Sequence, residues 1–158
     1  MMLTARNDFD FNYGEWVVEH RRLKERGVAC DDWQVFETRT DAQLLMDGAV
    51  SVDVTDFHSG GFKGMSLRLY QPKEDRWAIY WINSSDGVLQ PPVYGRFDNG
   101  LGVFSGGDRD GDRPIVVRFN WDARDPSAPC WSQAFSYDNG ETWEVNWIMN
   151  FRRPQQTL

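Results

Sequence analysis

Six glycine-containing dipeptides, Asp47-Gly48, Gly60-Gly61, Asp86-Gly87, Asn99-Gly100, Asp110-Gly111 and Asn139-Gly140, break this chain into short pieces. Each supplies a residue that accepts positive φ, which tight hairpins require. The segments between them are rich in β-branched and aromatic residues, and none shows the repeating apolar pattern of a long helix. Several alternate with period two, among them Met65-Ser66-Leu67-Arg68-Leu69-Tyr70 and Ile115 through Trp121. Trp143, Val145, Trp147, Met149 and Phe151 share one face of the clearest such segment.

The pattern predicts ten strands, at 14–25, 33–39, 44–54, 63–71, 76–83, 93–97, 101–106, 114–121, 131–137 and 142–152. The first also fits a helical face through Trp16, His20 and Leu23, and Arg21 to Arg26 are good helix formers, but it is read here as a strand. No internal repeat or low-complexity segment interrupts the series, so residues 1–158 are expected to form one all-β domain. Ten strands with short connections can make an open sandwich or a closed antiparallel up-and-down barrel. Closure removes exposed sheet edges, and the barrel is the expectation. A barrel of eight to ten strands has room for side chains or one small ligand.

Composition narrows the partners. Seventeen Lys and Arg against 24 Asp and Glu give a formal charge of -7, which opposes contact with phosphate backbones and anionic lipid surfaces, so neither nucleic acid nor membrane is expected. The first ten residues lack a basic start followed by an apolar stretch, and the longest unbroken apolar run is Trp77 to Ile82. A cytoplasmic setting is therefore expected. There Cys30 and Cys130, which form no Cys-x-x-Cys pair, are read as reduced thiols.

Gly14-Glu15-Trp16, following Phe9-Asp10-Phe11, resembles the Gly-x-Trp signature of the calycins, the lipocalins and fatty-acid-binding proteins. The resemblance implies that Trp16 packs across the closed end of the barrel beneath a basic side chain from the last strand, for which Arg152 and Arg153 are placed. A longer pattern looks like a bacterial domain-of-unknown-function family with a calycin-like, lipocalin-like barrel. It comprises Ser66 to Tyr70, Trp77 to Ile82, Pro91 to Phe97, Arg118 to Trp121 and Trp131 to Arg152. That resemblance covers nearly the whole chain; it implies a fold and a cytoplasmic setting but no activity.

Ser136-Tyr137-Asp138-Asn139-Gly140-Glu141-Thr142-Trp143 matches the Asp-box of sialidase-type propellers. One copy cannot build a propeller, so the motif is read as a hairpin staple, with Asp138 and Ser136 bonded to turn backbone and Trp143 over the loop. Asp108-Arg109-Asp110-Gly111-Asp112 begins like a calcium loop, but Arg113 stands where that loop needs Gly and Phe119 where it needs Glu. His20 and His58 are the only histidines, and no metal spacing is present. The chain also departs from nitrobindin-like haem barrels, whose axial histidine comes late in the sequence, so no cofactor and no metal are expected. No Gly-x-Ser-x-Gly elbow, Walker loop or dinucleotide fingerprint occurs, and catalytic residues are not identifiable; Asp53, Asp56 and Glu144 are acids without individual warrant.

Hydrophobic burial decides which face should line the barrel. Inward placement of Ile115, Val117, Phe119, Trp121, Trp131, Phe135, Tyr137, Trp143, Val145, Trp147 and Met149 leaves Arg68, Arg118, Glu144, Asn146 and Asn150 outside, with Gln133 the odd polar group within. The rival phase turns Arg68, Arg118 and Asn146 inward as an anion-binding group, and leaves an outer Trp-rich face that a second layer or a homodimer interface would have to cover. Bulges would mix the two phases. The leading expectation is a barrel that binds a small apolar or aromatic ligand against Trp81 and Trp147, oriented by Gln133, Tyr80 or an arginine, Arg68 or Arg118. The alternatives are a metal-independent enzyme acting in the same cavity and a structural or oligomerising module.

Overall fold

The computed structural model describes residues 7–155. Ten strands close into an antiparallel barrel in which each pairs with its sequence neighbours and the first meets the last, in the order β1-β10-β9-β8-β7-β6-β5-β4-β3-β2. They are β1 (Gly14–Leu23), β2 (Trp33–Leu45), β3 (Val50–Phe57), β4 (Phe62–Gln71), β5 (Arg76–Asn83), β6 (Val93–Asp98), β7 (Leu101–Asp110), β8 (Arg113–Asp122), β9 (Cys130–Ser136) and β10 (Glu144–Arg152). The closed up-and-down barrel expected from the hairpin punctuation is the fold, and it is consistent with the calycin-like barrel that the resemblance implies. Asn99 and Gly100, at φ 51° and 81°, make the two-residue link between β6 and β7 that a right-twisted hairpin favours. Among the described residues, no helix is long and apolar enough to cross a membrane.

The segment 44–54 is not one strand. Leu44 and Leu45 end β2, and positive φ at Met46, Asp47 and Gly48 turns the chain before β3 begins at Val50. The turn signal at Asp47-Gly48 overrides the apolar continuity around it. The first strand likewise stops at Leu23, two residues short of the expected end.

One end of the barrel is plugged by the segment that precedes β1. Phe9 lies edge-on to Trp77 and Phe97 at 4.9 and 5.0 Å, and the Trp16 indole N–H donates to the Asn12 carbonyl at 3.0 Å. Arg153 places its guanidinium 3.6 Å from the centre of the Trp16 ring, the arrangement expected from the Gly-x-Trp resemblance. The opposite end is looser. β6 is short and meets β5 through three residue pairs only, and the loop 84–92 folds back over the gap, where Gln90 donates its backbone N–H to the Trp81 carbonyl.

The two halves of the barrel follow opposite hydrophobic phases. On β8 to β10 the apolar set faces in, with Ile115, Val117, Trp121, Trp131 and Phe151 buried, as expected. On β3 and β4 the pattern is inverted. Ser51, Asp53, Thr55 and Arg68 are buried inside the barrel, while Val50, Val52 and Val54 alternate to the outside. In register with these valines, Leu69, Leu67 and Met65 of β4 and then Ala78, Tyr80 and Ile82 of β5 form a three-by-three apolar grid on the outer face.

The phase also breaks within β10. The pairing with β9 slips between Val145 and Trp147, leaving Asn146 as the extra residue of a β-bulge. Trp147, Met149 and Phe151 keep the inward face, but Val145 is 43% exposed and Asn146 is fully buried. Trp143 and Val145 are therefore not part of the lining, and Asn146 is not on the outer face, because one inserted residue reverses the alternation N-terminal to it. Trp143 instead stacks under Arg118 at 4.0 Å on the outside.

Candidate binding cavity

A cavity of about 140 Å³ sits between the plug and the loop 84–92. Its walls differ in chemistry because of the phase inversion. The β8 to β10 side is aromatic, carrying Phe119, Trp121, Trp131, Phe135 and Trp147; the β2 to β4 side is polar, carrying Thr40, Asp53, Thr55, Ser66 and Arg68. Trp81 of β5 closes the aromatic side, and its ring lies directly over Gly64. A Cβ at that glycine would fall 2.0 Å from the Trp81 Cη2. At the mouth stand Gln90, Pro91, Gly107 and Asp108.

Arg68 is the main departure from the leading expectation. It is 3% exposed and points inward, with Nη2 donating to Asp53 Oδ2 at 2.5 Å and Nη1 to Ser51 Oγ at 3.3 Å. Its guanidinium also packs against the rings of Phe9 and Trp121 at 5.0 and 5.7 Å. Asn12 of the plug donates to the same Asp53 oxygen at 3.4 Å. An isolated charge would be driven out of the barrel, but an ion pair with supporting donors is tolerated there. Residue-by-residue hydrophobicity cannot register a partner fifteen positions away.

Of the six candidate ligand contacts, Arg68, Trp81, Gln133 and Trp147 come together on the wall. Gln133 is the inward polar group expected on β9, and its Nε2 donates to Asn146 Oδ1 at 2.9 Å. Tyr80 borders the cavity, but alternation between the inward Ile79 and Trp81 carries its side chain to the outer grid. Arg118 is not on the wall; adjacent to the inward Phe119, it projects outward onto Trp143. Of the three acids without individual warrant, Asp53 is at the cavity. Asp56 lies 3.3 Å from His58, and Glu144 accepts from the Gly27 backbone N–H.

Trp147 is held by groups the sequence reading did not connect with it. Its indole N–H donates to His20 Nδ1 at 3.0 Å, and the Arg22 guanidinium lies 4.5 Å from its ring. An indole nitrogen only donates, so His20 Nδ1 carries no proton, and Nε2–H donates to Thr38 Oγ1 at 2.7 Å. His20 also stacks on Phe36 at 4.5 Å and is fully buried. Burial, with a smaller contribution from Arg22, pulls its pKa down to about 4, so the ring is neutral at physiological pH. Asp53 is thus paired with Arg68, and both ring nitrogens of His20 are taken up, by Thr38 and Trp147.

Other motifs lie away from the cavity. The Asp-box is the hairpin staple expected. Ser136 Oγ accepts from the Gly140 N–H at 2.7 Å and Asp138 Oδ1 from the Thr142 N–H at 2.8 Å; the Thr142 hydroxyl, the Thr142 N–H and the Ser136 hydroxyl, all donating to Asp138, hold its pKa down to about 2. Asp108 to Asp112 spans the β7–β8 hairpin, and among the described residues no group of three His, Cys, Asp or Glu is arranged to hold a metal ion.

The polar wall was accessible from the sequence in one respect. Val50-Ser51-Val52-Asp53-Val54-Thr55 alternates perfectly, and its polar half continues the serine and arginine of Ser66-Leu67-Arg68 on the next strand. Two adjacent strands with matching polar faces are a signal for an inward polar wall once closure of the barrel is assumed. No protein-family model matches the chain, and no curated protein matches it in sequence.

Proposed function

We propose that the chain is a small-molecule-binding barrel that holds an apolar or aromatic ligand in its central cavity. The observation that carries this reading is the inversion of β3 and β4. A barrel that needed only a stable core would turn Val50, Val52, Val54 and Leu67 inward; this one directs Ser51, Asp53, Thr55 and Arg68 inward against an aromatic wall. Such a cavity, apolar on one side with a few convergent polar groups on the other, is what ligand sites present. Its volume of about 140 Å³ suits a single ring rather than a long acyl chain; an engineered cavity of roughly 150 Å³ in another protein admits benzene.

Native mass spectrometry of protein purified from its own host tests this directly, with a reproducible added mass of single-ring size expected. Repeated preparations with no added mass, together with tryptophan emission that is unmoved by toluene, would overturn it.

A second reading, that two copies associate, is favoured by the outer grid of Val50, Val52, Val54, Met65, Leu67, Leu69, Ala78, Tyr80 and Ile82. Apart from Ala78, which is buried, these side chains form an uncharged outer patch that can meet its own image across a two-fold axis. Sedimentation as a dimer that Leu67→Lys converts to a monomer is the expected result; a monomer at all concentrations overturns it.

A further inference from the structure

Resting on the binding reading above, we propose that the ligand is a neutral, hydroxylated single-ring aromatic, a simple phenol, whose hydroxyl docks between Asp53 and Ser66. These two residues are directly opposed in the register of β3 and β4, and both border the cavity. Asp53 receives Arg68 and Asn12 on Oδ2, whereas among the described residues Oδ1 accepts no hydrogen bond and the Ser66 hydroxyl has no partner. A carboxylate oxygen at the edge of an apolar void requires a donor, and a serine hydroxyl beside it can give one hydrogen bond. A group that donates to the first and accepts from the second is itself a hydroxyl. Its ring then lies toward Trp81 and Trp147.

Charge rules against the anionic and cationic relatives of such a molecule. Arg68 is the one basic residue on the wall among the described residues, and its charge is already matched by Asp53 at 2.5 Å. Nη1 and Nη2 already donate to Ser51 and Asp53, and the buried Nε has no partner among the described residues, so a carboxylate would meet an arginine whose charge is already balanced. Asp108 adds a further carboxylate at the mouth. An anionic ligand would therefore be buried without a counter-ion, and a cationic one would sit beside Arg68 with the only deep carboxylate already engaged.

The test is a fluorescence or calorimetric titration at neutral pH with phenol, toluene, benzoate and benzylammonium. Phenol is expected to bind about tenfold or more tightly than the other three. Ser66→Ala should weaken phenol by roughly threefold to tenfold while leaving toluene unchanged, since one neutral hydrogen bond is lost. Asp53→Asn should free the charge of Arg68 and reverse the order of phenol and benzoate; where that variant does not fold, Ser66→Ala decides. Saturable binding in which toluene or either ion equals phenol, or a Ser66→Ala variant that binds phenol as tightly as the parent, overturns the phenol assignment and leaves the binding barrel standing. No saturable response to any of the four overturns both.

Discussion

Trp147 donates its indole N–H to Nδ1 of His20, 127 residues earlier in the chain, at 3.0 Å. That bond fixes the tautomer of a buried histidine and the orientation of an aromatic residue on the cavity wall. His20 acts on the cavity from behind, through Trp147, because its other nitrogen is committed to Thr38.

Protonating His20 should loosen the barrel. Its folded-state pKa of about 4 lies below the ordinary 6.5, so between these values the unfolded chain holds the extra proton. The stability contribution is complete above about pH 6.5, falls as pH drops through the window and is lost below about pH 4. It amounts to on the order of 3 kcal/mol. Urea denaturation of the parent and of His20→Gln at pH 7 and pH 4 should show the stability difference shrinking at the lower pH; a constant difference would sink the assignment.

Arg68→Met alone should destabilise the fold by about 3–5 kcal/mol, because it leaves Asp53 buried and unpaired. Adding Asp53→Val should restore part of that loss, since an apolar pair of similar volume needs no counter-charge. A double variant whose loss equals the sum of the two single losses would show that the ion pair at 2.5 Å contributes no coupling.

Gly64→Ala should displace Trp81, because the added methyl cannot share space with a ring atom 2.0 Å away. A loss of about 1–3 kcal/mol is expected from the overpacking, with a shift in tryptophan emission and weaker ligand response. Unchanged emission would mean that the Trp81 ring does not rest on Gly64.

The ligand-induced change in tryptophan emission should be reduced in Trp81→Phe and Trp147→Phe and retained in Arg118→Gln, whose side chain lies outside the barrel on Trp143. Sensitivity of the signal to Arg118→Gln would contradict the placement of that arginine.

At the closed end, Arg153→Gln should cost about 0.5–1 kcal/mol through loss of the cation over Trp16, at 3.6 Å. Thermal melting would register it, and no change in ligand response is expected, because Trp16 and Arg153 are not on the cavity wall.

Turn residues and alternation sufficed for ten strands, their hairpins and the closure, though not for the turn at Met46 to Gly48 that separates β2 from β3. Gly and Asn turn residues act over two or three positions, and alternation acts within one strand, so Ile115 to Trp121 could be read as an inward apolar face before any contact was known. The Asp138 staple was legible for the same reason, since a short turn motif carries its own geometry, whereas Trp16 under a basic cap followed from the resemblance to the Gly-x-Trp signature. The absolute phase of β3 and β4, the bulge at Asn146 and the role of His20 depend on contacts made only in the closed barrel. Period-two alternation states which residues share a face but not which face is inside, and that choice rests on partners brought together by closure. Asp53 makes an inward Arg68 tolerable, one extra residue turns Val145 out and Asn146 in, and Trp147 meets His20 because the last strand closes against the first.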